Sequence, residues 1–331
     1  MLNLLRCHRL EAKGEKLRRR CERLVRDCAD LKPEDRALVI SNPETSLLGE
    51  LISDAARRVG CMIDHLTIAP LRMHGQEPPN DIAKAMLESD AIFALTRYSM
   101  AHSKARLNAS QRGARYLSLP DYSEEILMSG AMLADFRGLT ALAHQLAQAL
   151  SDGEELRVTT PNGTDLVCMI GGRVGNPAPG WCFGPGTIAS PPDAETNIAV
   201  VEDGSVGEVI VDGSIPCPEI GLLEAPIRLK IRDGRVTEVS GGRSSELAKR
   251  YDMLNDARTR VVAELGIGLN PLAKLSGSML EDEGCLGTVH LGMGSNATIG
   301  GENEVPFHLD HIIRDARIEI DGKPIDIEAL T

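Results

Sequence analysis

Aromatic residues are scarce in this chain of 331: one Trp, four Tyr and four Phe make up 3% of it. Proteins that hold single-stranded bases rely on aromatic stacking platforms, so the scarcity disfavours that class and calls for an aliphatic core. Positive charge is also in deficit. The 36 Lys and Arg against 48 Asp and Glu leave a net charge of −12, and such a surface repels a nucleic-acid duplex or an anionic bilayer. No run approaches the roughly eighteen consecutive apolar residues of a membrane span, and no two cysteines have the C-x-x-C spacing of a zinc ribbon or redox pair. Cys7, Cys21, Cys28, Cys61, Cys168, Cys182, Cys217 and Cys285 are scattered, and are expected as reduced thiols in a cytoplasmic protein. The Arg- and Lys-rich first thirty residues are interleaved with Glu11, Glu15, Glu22, Asp27 and Asp30; this reads as a solvated amphipathic helix rather than a targeting peptide. The expected partners are small molecules or protein subunits, with no nucleic acid and no membrane.

What is present is a globular composition, 42% apolar with 32 Gly and 18 Pro, long enough for two domains. From Ala37 short apolar runs alternate with helical spacing: strands at Ala37–Ser41, Cys61–Ile68, Ala91–Leu95 and Arg115–Leu119, helices at Ser46–Arg58, Asp81–Glu88 and Ser103–Gly113. Strands and helices at this interval predict a doubly wound parallel sheet over residues 1–150. Ligands of such sheets bind beyond the carboxyl ends of the strands. Thr96, His102, Ser103 and Arg106, in the polar segment after the third strand, are therefore candidate substrate contacts, with helix capping for His102 and a surface ion pair for Arg106 as the alternatives.

After a boundary at about Leu150–Glu154 the pattern changes to hairpins. Asn162-Gly163, Asp233-Gly234 and Asp321-Gly322 each separate two alternating runs, which is the turn chemistry of tight antiparallel hairpins. Residues 151–331 are thus expected to form an α+β domain with antiparallel hairpins and a helix at Ser244 to about Leu254.

The chemistry gathers in the last seventy residues. His290 ends a strand-like run, Gly287–His290, that leads into a glycine-rich loop. In Pro306-Phe-His-Leu-Asp310 the two-residue period of a strand puts His308 and Asp310 on one face and Leu309 on the other. A His and a carboxylate converging in this way can bind a divalent cation, and His290, eighteen residues before His308, offers a third ligand. On spacing alone, His290 and His308 read more readily as ordinary satisfied histidines. Glu264 interrupts the apolar run Val261–Gly268; a charge there is a ligand, the partner of a buried cation, or on an exposed strand face. Gly292-x-Gly294-x-x-Ala297 matches a loose dinucleotide fingerprint, but no helix follows it. Cys285 has no visible activating base, and Met128, Met132 and Met169 read as core filler.

Three segments, Ala263–Pro271, Gly287–Gly294 and Gly300–Asn303 followed by His308–Asp310, in this order and spacing resemble the aminopeptidase T/S family of metallopeptidases over about residues 150 to 325. The resemblance implies a dimeric hydrolase with two divalent metals on two glutamates, two histidines and an aspartate. Glu264, His290, His308 and Asp310 fall on four of those positions and Glu195 on the fifth, with Glu281 and Glu283 as alternatives. At the position of the family's tyrosine stands Ala297. The same scaffold is similar to a ring-opening dihydroxypyridine dioxygenase, which carries a single iron on two histidines and an aspartate; there a histidine matches Glu264 and an apolar residue matches His290.

The ligand types lead to the expectation of a metal-dependent hydrolase of the aminopeptidase T type. Zn, Mn or Co, one or two per chain, would activate water against a C–N bond of a small molecule or short peptide. Glu195, Glu264 or His102 would move the proton. A mononuclear Fe(II) ring-cleaving dioxygenase on His290, His308 and Asp310 is the alternative, and a non-catalytic binding protein the second alternative.

Overall fold

A computed structural model describes residues 2–325 and 327; the side chains before Lys13, Glu11 among them, lie outside the described residues, as does residue 326 of the last expected hairpin. The chain folds as two compact units, residues 1–137 with 180–192, and residues 138–179 with 193–331.

The first unit is built on strands β1 (Arg36–Ser41), β2 (Met62–Thr67), β3 (Ala91–Leu95) and β4 (Arg115–Ser118). They pair in parallel in the order β2-β1-β3-β4, and the short strand Ile188–Ala189 extends the sheet beyond β4. Parallel strands covered on both sides read as continuous apolar runs, and all five residues of β3 are buried. The helix Ser46–Val59 stops where Gly60 takes φ 103°, the left-handed conformation that ends helices without a Cβ penalty. A helix Leu2–Arg23 occupies the charged amino-terminal stretch, and no described helix is long and apolar enough to cross a membrane.

The second unit holds two large antiparallel sheets and a two-stranded one, Ser214–Ile215 with Gly221–Leu222. The larger has seven strands, from Arg235–Gly241 at one edge to Lys323–Ile325 at the other, and contains all three expected hairpins. The smaller is made of β5 (Asn176–Ala178), β6 (Glu195–Ala199), β7 (Val262–Gly268), β8 (Thr288–Gly294) and β9 (His308–Arg314), in the order β9-β8-β7-β6-β5. Leu265, Ile267, Val289, Leu291, Leu309 and Ile313 from this sheet share one aliphatic core with Leu156, Val158, Val209 and Leu229 of the larger sheet.

Two details differ from the sequence reading. Packing divides the chain at Arg137/Gly138 instead of near residue 150, because the helix Thr140–Asp152 inserts Leu142, Leu146 and Leu150 into the second unit's core. His290 does not end its strand: β8 continues through Leu291-Gly-Met-Gly294, since the glycines lie in an extended ladder paired on both sides.

Candidate metal centre

The smaller sheet collects the polar residues by register. Gly268 pairs with Glu195, Gly266 with Asn197 and with His290, Gly292 with Glu264 and with Asp310, and Gly294 with His308. Directly opposed residues project to the same face of a sheet, so Glu195, Asn197, Glu264, His290, His308 and Asp310 all stand on the face turned away from the aliphatic core. Glycine is required at two of the intervening positions. A Cβ on Gly266 would lie 2.0 Å from His290 Cε1 and 2.8 Å from Glu195 Oε2, and one on Gly292 would lie 2.7 Å from His308 Cε1. The imidazoles therefore rest directly on neighbouring backbone.

Glu264 sits between the two rings. Its Oε1 is 3.9 Å from His290 Nε2 and its Oε2 is 3.3 Å from His308 Nε2, while Asp310 Oδ1 is 3.2 Å from His308 Nε2 and Glu195 Oε2 is 3.2 Å from His290 Nε2. Glu195, Glu264 and His290 bring one donor atom each within 4.8 Å of one another. Asn197 orients Glu195 by donating from Nδ2 to Oε1 at 2.8 Å. Glu195, Glu264, His290 and Asp310 are buried, whereas 35% of the His308 side chain reaches solvent.

The electrostatics are those of crowded carboxylates. Burial alone would lower the pKa of His290, but Glu195, Asp310 and Glu264 outweigh it and lift the ring to about 10. In the same way Asp310 and Glu264 outweigh burial at His308 and raise it to about 10. Burial pushes Glu195 up to about 7. Asp310 moves the other way: the His308 ring beside it overcomes burial and holds it below the usual carboxylate range. Two further carboxyls border the cluster. Burial together with Glu195 holds Asp193 well above its ordinary value, and burial together with Asp310 does the same to Glu283.

These residues fit a divalent cation. His308 Nδ1 lies 2.9 Å from the carbonyl of Ser295, an oxygen that can only accept, so Nδ1 is the donor, and Nε2, which faces two carboxylates, is the nitrogen left for a metal that displaces its proton. A backbone carbonyl in this position is the usual partner of a metal-ligating histidine. Glu195 Oε2, His290 Nδ1, Asp193 Oδ1 and Glu283 Oε1 are buried with no hydrogen-bond partner among the described residues. Buried polar atoms left in that state are costly unless a cation or protons stand between them, and nitrogen and oxygen donors of this kind suit first-row divalent metals.

The structure thus gathers all five sequence-derived ligand candidates. Of the two alternatives for the fifth position, Glu283 hydrogen-bonds Asp310, and Glu281 accepts the backbone N–H of Lys274 at 3.2 Å, engaged in its own loop. Asp193 and Asn197 escaped notice in the sequence. Each is two residues from Glu195, a strand-period signal that a Pro-rich approach and a short strand obscure. The remaining candidates belong to the first unit. Thr96 is buried and its hydroxyl donates to the carbonyl of Tyr98 at 2.8 Å; Ser103 caps the helix Lys104–Gln111 by accepting from Arg106 N at 3.2 Å. The Arg106 guanidinium folds back to donate to the carbonyl of Ala101, and His102 is exposed. Among the described residues Cys21, Cys28, Cys61, Cys168, Cys182, Cys217 and Cys285 are free thiols, and none contributes to the cluster.

The model of the 2,5-dihydroxypyridine 5,6-dioxygenase (NicX) family matches residues 16–329, and the chain belongs to that family of enzymes. A curated 2,5-dihydroxypyridine 5,6-dioxygenase of Pseudomonas putida is 26% identical over 257 residues, which are 74% of this chain and 72% of the relative. In fold the chain is similar to the solved 2,5-dihydroxypyridine dioxygenase from Pseudomonas putida, with a TM-score of 0.80 at 20% identity over 93% of this chain and 94% of that one. It is also similar to wild-type AmpT from Thermus thermophilus, with a TM-score of 0.69 at 17% identity over 94% and 97%. Both likenesses show the fold, a mixed α/β architecture as expected from the sequence. The family model and the curated relative correct the activity: both are dioxygenases, so the expected hydrolase of the aminopeptidase type, and metalloprotease chemistry with it, gives way. The ligand types misled for a physical reason, since the same nitrogen and oxygen donors serve hydrolytic and oxidative centres.

Proposed function

We propose that this chain is a mononuclear Fe(II) dioxygenase that opens a small hydroxylated ring. Two supports carry the reading: membership of the dioxygenase family over residues 16–329, and the His308 ring, whose Nε2 faces Asp310 and Glu264 at 3.2 and 3.3 Å. His290, His308 and Asp310 form a two-histidine, one-carboxylate set. Where the dioxygenase resemblance has a histidine, this chain has Glu264, so His290 on the neighbouring strand would supply the second imidazole, and Glu264 would balance part of the ion's charge. Iron bound there would supply the one-electron chemistry by which dioxygen reacts with a ring.

The chain's own residues do the rest. A hydroxylated ring must release a phenolic proton to become electron-rich, and Glu195, buried beside His290 with no hydrogen bond to Oε2, can accept it at that atom. Asn197 holds the carboxyl in place through Oε1. The burial of Glu195, Glu264, His290 and Asp310 keeps bulk water from the reacting atoms.

The test is oxygen uptake by protein loaded anaerobically with ferrous iron and mixed with 2,5-dihydroxypyridine and a panel of other small hydroxylated rings. Uptake matched to loss of ring absorbance is expected with at least one of them, and with one iron per chain. Ferrous protein that consumes no oxygen with any ring overturns the reading.

A further inference from the structure

The face of β9 opposite the metal cluster carries an unexpected residue. Alternation sends Leu309, His311 and Ile313 into the aliphatic core, and His311 is fully buried there. A histidine in an apolar layer is costly unless both ring nitrogens are paired, and both are. His311 Nδ1 donates to the carbonyl of Leu291 at 3.1 Å, and its Nε2 lies 2.7 Å from the Tyr251 hydroxyl. Because the Leu291 carbonyl can only accept, the neutral ring has its proton on Nδ1, and the Tyr251 hydroxyl is the donor to Nε2.

The bonds link backbone that carries the cluster. Leu291 stands between His290 and Gly292 on β8 and is directly opposite His311, which follows Asp310 on β9. The Tyr251 ring stacks on His311 at 5.9 Å and packs against Phe307 at 6.1 Å, so one tyrosine touches the residue before His308 and the residue after Asp310. Phe307 leads back to the same place: its carbonyl accepts from Ser295 N at 2.8 Å, and the carbonyl of Ser295 accepts from His308 Nδ1 at 2.9 Å. Tyr251 is itself anchored by Arg260, whose guanidinium lies 5.0 Å from the ring centre, and by its carbonyl, which accepts from Thr259 Oγ1 at 2.8 Å.

We propose that Tyr251 and His311 are positioning residues for the metal centre: their hydrogen bond, made on the core side of β9, holds β8 and β9 in the register that turns His290, His308 and Asp310 toward one ion. The proposal rests on the metal reading above, but not on which reaction the metal serves.

Cobalt(II) titration tests it, followed by the visible absorption of the bound ion, which reports coordination geometry independently of turnover. Tyr251→Phe keeps the ring and its stacking and removes only the hydroxyl. Ile313→Val, on the same core face of β9, is a control for general loosening. Tyr251→Phe is expected to weaken cobalt binding about tenfold, the scale seen for groups that orient metal ligands, and to change the cobalt spectrum. Ile313→Val is expected to leave both unchanged even where its melting temperature falls as far. Cobalt affinity within twofold of wild type and an unaltered spectrum in Tyr251→Phe overturn the positioning role. Equal effects in Ile313→Val also overturn it, by reducing the pair to ordinary core. Wild-type protein that binds cobalt but takes up no oxygen when ferrous sinks the dioxygenase reading alone; wild-type protein that binds no cobalt sinks the metal reading and this proposal with it.

Discussion

Glu264 Oε2 lies 3.3 Å from His308 Nε2, with its other oxygen 3.9 Å from His290 Nε2, so one carboxylate on the central strand of the site links imidazoles from two different strands. With carboxylates on both sides of each ring, protons hold the cluster together when no metal does, and metal binding must displace them.

That competition gives the metal-free protein a definite pH response. His290 and His308 are raised from 6.5 to about 10, and Glu195 from 4.5 to about 7. In each case the folded state holds protons more tightly than the unfolded one. The stabilisation is fully present below the unfolded values and is lost as pH rises through the folded ones. In chelator, the melting temperature is expected to fall between pH 6 and pH 10. With saturating metal the fall should shrink, and metal affinity should rise with pH. A flat melting profile for the chelated protein would rule out proton-held histidines.

Removing a ligand is expected to abolish metal retention. For His308→Ala the measured metal affinity should drop by more than about 100-fold, beyond the 10- to 100-fold effects of residues that only orient ligands. Elemental analysis after purification without chelator reads this directly, and a normal metal content in the variant would remove His308 from the set.

The bare backbone beneath His308 is testable by adding a single methyl group. In Gly292→Ala the new Cβ would stand 2.7 Å from His308 Cε1 and 2.9 Å from Glu264 Cβ. The ring must move, at a cost of about 1–3 kcal/mol in stability, as for overpacked cores, with at least tenfold weaker metal binding. Wild-type affinity would mean that the ring does not rest on that glycine.

Asn296 organises the glycine-rich segment after β8. It is fully buried; Nδ2 donates to the carbonyls of Val200 and Ala263 and to Glu202 Oε1, and Oδ1 accepts from Asn303 N. Asn296→Ala strands these partners and is expected to cost about 1–3 kcal/mol, seen as a lower denaturation midpoint. An unchanged midpoint would refute this organising role of Asn296.

Ser103 offers a contrast. As the cap of the helix Lys104–Gln111, its change in Ser103→Ala is expected to cost about 1 kcal/mol and to leave metal content unaltered. A selective loss of substrate affinity with wild-type stability would instead give Ser103 a binding role.

Much of this molecule is local in origin and could be read along the chain. The Asn-Gly and Asp-Gly turns prescribe their hairpins because few other residues accept those backbone angles, and the apolar runs of the first unit alternate with helices at the spacing of a parallel sheet. His308 and Asp310 share a face because a strand repeats every two residues. Less was legible where the signal depends on a partner. The helix Thr140–Asp152 carries an apolar stripe that either unit could cover, and its allegiance is set by the core it packs into. The reaction was not legible in the ligands, because these donor types suit a divalent cation and leave open which bond is broken.

Sequence alone therefore determined the classes of element and the kind of donor atom, since both follow from chemistry within a few residues. Only the tertiary structure decided that Glu195, 69 residues before Glu264, comes to rest against His290, that Gly266 and Gly292 lie under the imidazoles, and that His311 turns inward to Tyr251. Strand order and register set those meetings. Register is a collective outcome of burying Leu265, Ile267, Val289, Leu291 and Leu309 in one core, and no single segment contains the information that aligns them.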